Sequence, residues 1–262
     1  MGSKTKIDWA DATWNPVTGC LHGCEYCYAR KQAHRFDGRF GSNGENHDLS
    51  VRVQHDWKDE KSGRTVLGRI EPYPHGFDPT FHRYRLDVPA KWKDPRDIFV
   101  CSMADLFGKW VPDEWIEEVI SSCLKAPWHK YLFLTKNPAR YMYLIGNGII
   151  PEDQSNFWLG STATIPEMEF FWHETVNTFV SIEPILAPFK NLTDDGINPA
   201  SKTNWIIVGA ETGNRSSKVV PQKEWIDEIV SAAKKAGTPV FMKESLRAIM
   251  GDDFIQQFPW EV

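Results

Sequence analysis

Three cysteines, Cys20, Cys24 and Cys27, crowd into one short run, Thr18-Gly19-Cys20-Leu21-His22-Gly23-Cys24-Glu25-Tyr26-Cys27-Tyr28. Three thiolates on one loop can each take one iron of a cubane iron-sulfur cluster while the fourth iron keeps an exchangeable position. No fourth cysteine stands near them, because the remaining two of the five, Cys101 and Cys123, lie far along the chain. Gly19 and Gly23 give the loop the backbone freedom to wrap around such a body. Two other readings stay open: zinc held by the three cysteines and His22, and buried thiols that bind nothing. Zinc prefers well-separated ligand pairs, and His22 is crowded between Cys20 and Cys24. An odd, clustered cysteine count suits a cytosolic cofactor site better than a secreted disulfide framework.

The elements that must position this loop belong to an ordinary globular chain. Its 262 residues are 41% hydrophobic and 25% charged, which excludes wholesale disorder and a fibrous protein. The net charge of −5 provides no global cationic field, so any polyanion must be held locally. No stretch approaches the roughly 20 apolar residues that span a bilayer, and the opening run Met1 to Lys6 lacks a signal-peptide core. A cytoplasmic protein with no membrane partner is expected. Gly2 does not fit an acylation pattern, since Lys6 stands where Ser or Thr is required.

Short apolar runs end in polar residues at Asp97 to Cys101, Tyr131 to Thr135, Asn156 to Gly160, Thr178 to Ile182, Trp205 to Gly209 and Pro239 to Lys243. Continuous apolar character predicts strands covered on both faces, as in a parallel sheet. Helices are predicted between them: Trp115, Ile116, Val119, Ile120, Cys123 and Leu124 repeat at helical spacing, as do Trp225, Ile226, Ile229, Val230 and Ala233 before the stop signal Gly237. Asn137-Pro138 reads as a cap followed by a first-turn proline. With a strand near Ala12 to Val17 and a first helix over Glu25 to Phe36, the alternation predicts an α/β fold. A partial or complete (β/α) barrel is the leading form, and a doubly wound sheet is its rival.

The expected organisation is a single domain over residues 1–262 with a long insertion after the first helix, at about 39–96. From Tyr28 through Arg96 there are 14 Lys and Arg against 10 Asp and Glu, a surplus of four that leaves −9 for the remainder. The segment interleaves Phe36, Phe40, Trp57, Tyr73, Phe77, Phe81, Tyr84 and Trp92 with Arg52, Arg64, Arg69, Arg83 and Arg85. Cations beside aromatic faces suit phosphates and stacked bases, and equally suit a subdomain with its own small core.

Cys20, Cys24, the aromatic Tyr26 and Cys27 match position for position the Cys-x3-Cys-x-aromatic-Cys signature, and here the chain resembles the radical S-adenosylmethionine (SAM) superfamily. The resemblance implies a barrel of the radical SAM type and a [4Fe-4S] cluster. The open iron of that cluster chelates SAM and cleaves it reductively, with an electron from an external donor, to a 5′-deoxyadenosyl radical. Nearly the whole chain is also similar to a three-cysteine family of phage and bacterial relatives. That similarity runs through Trp9 to Cys20, Phe99 to Phe107, Leu134 to Pro138, Ser181-Ile182-Glu183-Pro184 and Val208 to Gly213.

In a (β/α) barrel the reactive face lies at the strand carboxyl ends. Ser102, Asp105, Ser161, Thr162, Glu183 and Glu211 are there as oxygen donors for the SAM ammonium and ribose, and Lys136 and Lys243 for a carboxylate or phosphate. Superfamily members commonly use a Gly-Gly-Glu-like stretch after the second strand, where this chain has Ser102-Met103-Ala104-Asp105. Each residue has an ordinary role beside the functional one: Asp105 and Glu211 as helix caps, Lys136 as a turn residue, Glu183 as the start of a loop before Pro184. Cys101 is either a hydrogen-atom donor to a product radical or an inert buried thiol, and Cys123 falls on the apolar helix stripe. The implied function is radical rearrangement or modification of a nucleotide or nucleic-acid base, including a base of phage DNA. The alternatives are a repair lyase of the photoproduct type and a nucleic-acid-binding module with zinc or a non-catalytic cluster.

Overall fold

The computed structural model describes residues 5–36, 40–54, 56–66, 68, 70–190 and 198–261, without the side chain of Trp57. Gly2, Arg69 and the Trp57 ring therefore lie outside the described residues. In chain order the strands are β1 (Ala12–Trp14), β2 (Val17–Thr18), β3 (His47–Leu49), β4 (Trp57–Lys58), β5 (Thr65–Val66), β6 (Thr80–His82), β7 (Asp97–Val100), β8 (Lys130–Thr135), β9 (Phe157–Thr162), β10 (Asn177–Ile182), β11 (Trp205–Val208) and β12 (Val240–Met242). The α-helices are α1 (Tyr28–His34), α2 (Val88–Lys91), α3 (Asp113–Leu124), α4 (Ala139–Gly146), α5 (Pro199–Lys202), α6 (Lys223–Ala236) and α7 (Arg247–Met250).

The chain divides into two compact units. The first comprises residues 1–13, 94–99 and 127–262, and the second residues 14–93 and 100–126. The first carries a parallel seven-stranded sheet of order β1-β7-β8-β9-β10-β11-β12. All six apolar runs are strands of it. The sheet is open, a half-barrel with β1 and β12 as its edges, and the carboxyl-terminal segment covers β12: Met242 N–H donates to Ile255 O and Gln257 N–H to Val240 O.

Alternation along these strands sorts side chains onto two faces. Register pairs Gly160 with Phe179 and Phe179 with Trp205, so Phe99, Leu132, Trp158, Phe179, Trp205, Ile207 and Phe241 share one face, where Trp9 packs with them. Trp205 is central in this aromatic plug, 5.7 Å from Phe179 and 6.1 Å from Phe241 between ring centroids. On the opposite face Val180, Ile182, Ile206, Val208, Val240 and Met242 pack against Ile226, Ile229, Ala232 and Ala233 of α6. That helix ends at Gly237 in the left-handed region, as its stop signal predicts.

One helix expectation holds at its entry and one is corrected. Pro138 has helical dihedrals at the entry of α4 and the Asn137 carbonyl accepts from Arg140 N–H, in keeping with the expected first-turn proline, while Asn137 N–H donates to Thr135 Oγ1. The connection from β9 to β10 holds no helix among the described residues, so the unit count of a regular (β/α) repeat is not met.

In the second unit the aromatic and basic segment builds its own structure. Strand β6 pairs antiparallel with β2 and parallel with β3, and β4 and β5 form a separate antiparallel pair. Phe81 of β6 is fully buried and stacks on Trp115 at 5.2 Å. Arg83 lies over the Phe81 ring and is held by Asp48 and Glu118, while Arg85 donates to Asn15 O and shares Tyr84. Tyr73 and Phe77 pack in the cluster under the cysteine loop, so structural contacts account for Tyr73, Phe77, Phe81, Arg83 and Arg85.

Candidate functional site

The cysteine loop joins β2 to α1 within the second unit. Cys20, Cys24 and Cys27 are all free and half-buried. Backbone bonds fasten its entry: Gly19 N–H donates to Met103 O at 2.9 Å and Cys20 N–H to Phe77 O at 3.1 Å. Gly19 has φ +87°, and a Cβ there would lie 2.0 Å from the Asp78 carbonyl oxygen, so only glycine permits this approach. A turn brings Cys27 N–H to Cys24 O at 3.3 Å, and Cys27 Sγ accepts from Arg30 N–H at 3.4 Å as the cap of α1. Tyr26 is half-buried in that turn.

Burial pushes the Cys20 thiol up to about 12, and the charges of Asp105, Cys27 and Cys24 add to it against the His22 backbone N–H. Cys20 and Cys27 rest on an apolar cluster of Ala29, Ala33, Tyr73, Phe77 and Met103. A soft donor set on an apolar seat suits an iron-sulfur cluster, whose irons take thiolate ligands. Among the described residues no group of three His, Cys, Asp or Glu side chains converges as a single metal ion requires. His22, the fourth ligand of the zinc alternative, directs Nε2 at Asp105 Oδ2, 2.6 Å away.

The segment after β7 is locked to the strand before the loop. Asn15 Oδ1 accepts from Ser102 Oγ at 3.2 Å and from Met103 N–H at 2.9 Å, and the Ser102 carbonyl accepts from Tyr28 OH at 2.6 Å. Asp105 is nearly buried and its Oδ1 accepts from Phe107 N–H at 3.0 Å. Cys101 has φ +58°, unusual for a residue with a side chain, and its N–H donates to Trp14 O. Its thiol is fully buried, and burial pushes it up to about 12. Cys123 is buried on α3, as its stripe position predicts.

The remaining candidates lie in the first unit. Thr162 is buried and in register with Ser181, on the face of the aromatic plug. Glu183 and Lys243 form an ion pair at 2.5 Å, with Asp8 3.9 Å from the lysine. Gly209 lies beneath them: a Cβ there would be 3.0 Å from Lys243 Cδ and 3.3 Å from Glu183 Cγ. Glu211 bonds Arg215 through Oε1 at 2.6 Å, while its buried Oε2, like Ser181 Oγ, has no hydrogen-bond partner among the described residues. Lys136 is half-buried just beyond β8. Ser161 departs from this grouping: its register with Val180 and Ile206 puts it on the α6 side, where its Oγ accepts from Phe171 N–H at 2.8 Å.

Sequence reasoning passed over Asn15, which ties two segments together, and weighed His22 only as a zinc ligand. Asn15 stands before Pro16 in a turn context, which gives no signal of a long-range acceptor.

Fold and loop together define an α/β protein with an open parallel sheet and a three-cysteine loop between β2 and α1. The chain belongs to the DUF5131 family, described as protein of unknown function, which it matches over residues 4–248. No curated protein sequence matches it. Among solved structures, a cysteine-to-serine variant of spore photoproduct lyase shares the fold at a TM-score of 0.53 and 9% identity, over 93% of this chain and 79% of that one. A double variant of that lyase with bound AdoMet and dinucleoside spore photoproduct gives 0.53 at 8% identity, over 92% and 78%. The lyase complexed with dinucleoside spore photoproduct gives 0.51 at 8%, over 93% and 79%. At these identities the likeness speaks for the fold. No helix among the described residues is long and apolar enough to cross a membrane.

Proposed function

We propose that this chain is a radical SAM enzyme whose Cys20, Cys24 and Cys27 hold a [4Fe-4S] cluster and whose substrate is a nucleotide or nucleic-acid base. The observation that carries the reading is the loop itself: three free, half-buried cysteines within eight residues, two of them, Cys20 and Cys27, on an apolar seat. When bound, the cluster and SAM supply one-electron cleavage of a sulfonium and a radical that abstracts hydrogen. An external donor provides the electron.

The chain's own residues bind, orient and exclude water. Cys20, Cys24 and Cys27 ligate, Tyr26 flanks them, and Asn15 and Gly19 fix the loop's entry. The buried Ser181 Oγ and Glu211 Oε2 offer acceptors for ribose hydroxyls or base N–H groups, since a buried polar atom is stable only when paired. Within the first unit Thr162, Glu183, Lys136 and Lys243 offer further polar groups; within the second, Ser102 braces the cysteine loop by accepting from Tyr28 OH. The aromatic plug around Trp205 keeps the base of this face dry. Support for a base as substrate comes from the fold likeness to an enzyme solved with a dinucleoside photoproduct. A base within a duplex must be flipped out to react in an enclosed site.

Anoxic reconstitution with iron and sulfide tests the reading. The expected result is brown protein that forms 5′-deoxyadenosine with SAM and dithionite and carries deuterium from a labelled nucleotide or oligonucleotide into it. Colourless protein with stoichiometric zinc makes the chain a binding module instead. The same likeness favours, as a second reading, a photoproduct-type lyase, with Cys101 as hydrogen donor. Loss of lesion repair in Cys101→Ala with SAM cleavage intact selects it; unchanged product formation leaves Cys101 as a core thiol.

A further inference from the structure

We propose that Asp105 is a positioning residue of the cysteine loop, clamping its tip through His22, in place of the SAM contact expected at this point of the sequence. The inference rests on the reading that Cys20, Cys24 and Cys27 hold a cluster.

His22 is the middle residue of the three between Cys20 and Cys24, so fixing its ring fixes the span between two ligands. Its Nε2 lies 2.6 Å from Asp105 Oδ2, and an acceptor-only carboxylate makes that nitrogen the N–H donor. Asp105 cannot swing away freely: it is 5% exposed and its other oxygen accepts from Phe107 N–H. The far side of the imidazole meets Trp110 edge-on, with centroids 4.8 Å apart. Trp110 reaches this position because residue 108 is glycine; a Cβ there would stand 2.4 Å from the indole ring. Successive turns, Gly108 N–H to Asp105 O and Val111 N–H to Gly108 O, hold the carboxylate and the indole in one compact segment. This segment is a socket for one imidazole. Both carboxylate oxygens are thus engaged within the protein, which is the arrangement of an outer-shell support.

Four variants test the clamp after anoxic reconstitution: His22→Phe, which keeps a ring for Trp110 but no N–H, Asp105→Ala, Asp105→Asn and the double variant His22→Phe/Asp105→Ala. Iron release to a chelator is followed together with the electron paramagnetic resonance of the reduced cluster and SAM binding, and melting of the iron-free proteins controls for folding. Asp105→Ala and His22→Phe release iron about 10–100-fold faster than wild type. The double variant is no faster than the worse single one, as residues of one unit are non-additive. Asp105→Asn, which keeps an oxygen for His22, falls between alanine and wild type and binds SAM normally. Iron release at the wild-type rate in His22→Phe overturns the clamp, and so does a weakened SAM affinity in Asp105→Asn with iron release unchanged. If Asp105→Ala fails to fold, His22→Phe decides. Wild-type protein that takes up no iron defeats the cluster reading itself, whereas a brown wild type with equally retentive variants defeats only the clamp.

Discussion

His82 is held neutral between Thr18 Oγ1, 2.9 Å from Nε2, and Tyr84 OH, 3.0 Å from Nδ1. Burial first, then Arg85 and His75, push its pKa down to about 2. The folded chain therefore refuses a proton that the unfolded chain accepts near pH ~6.5, so stability is complete above that pH and falls below it, by about 2 kcal/mol at pH ~5. Urea midpoints measured from pH ~7 to ~5 should show this loss in the wild type and a flatter profile in His82→Gln. Because Thr18 adjoins Gly19 and Cys20, the acid loss should be accompanied by release of bound iron. Gly19 gives a second prediction at this scale. In Gly19→Ala the new Cβ meets backbone at Asp78, which cannot turn aside, so the variant should lose at least about 2 kcal/mol and take up little iron. Gly23 has φ +73° but open space around it, and Gly23→Ala should cost only about 1–2 kcal/mol. The sequence run shows two glycines of equal promise, and only packing separates them. The same holds for the ligands: three cysteines at a set spacing are visible in the chain itself. Asn15, His22 and Arg85 act through partners about 70 to 90 residues away, which no local pattern records.

At the scale of elements, Gly160 illustrates how a strand position is decided by its neighbour. The ring of Phe179, its register partner on β10, covers Gly160 so closely that a Cβ would approach Phe179 Cζ to 2.2 Å. Gly160→Ala should destabilise the sheet by about 1–3 kcal/mol through overpacking, read as a lower urea midpoint at unchanged slope. On the other face, Ile229→Ala in α6 removes a wholly buried side chain and should cost about 2–5 kcal/mol. The strands were legible because each is apolar on both faces, and α3 and α6 because each buries one stripe. The β9–β10 connection was less legible. Residues Ala163 to Val176 carry Pro166 and no helical stripe, and they follow strand positions whose polar members, Ser161 and Thr162, fall on opposite faces. A candidate list drawn from strand ends takes both; alternation keeps only Thr162 on the face of Ser181.

For the molecule as a whole, charge bears most directly on the proposed substrate. The chain carries −5, and two arginines of the aromatic segment are engaged within the protein: Arg83 by Asp48 and Glu118, Arg85 by Asn15 and Tyr84. Elsewhere Arg215 meets Glu211, and Arg247 meets Glu244. Under the function proposed above, recognition is expected to rest on base and sugar contacts more than on phosphates, with the buried Glu211 Oε2 and Ser181 Oγ available as acceptors. Affinity for an oligonucleotide then depends weakly on salt. Each phosphate neutralised on a single strand contributes about −0.7 to the slope of log K against log salt, so a slope no steeper than about −2 is expected. A dinucleotide should compete nearly as well as a longer strand, because added phosphates find few partners. Titration of the reconstituted protein with fluorescent single strands of increasing length, across a salt series, measures both quantities. A slope near about −6, or affinity that climbs steadily with length, would mean that an extended cationic track binds the backbone, and the short-substrate reading would fall.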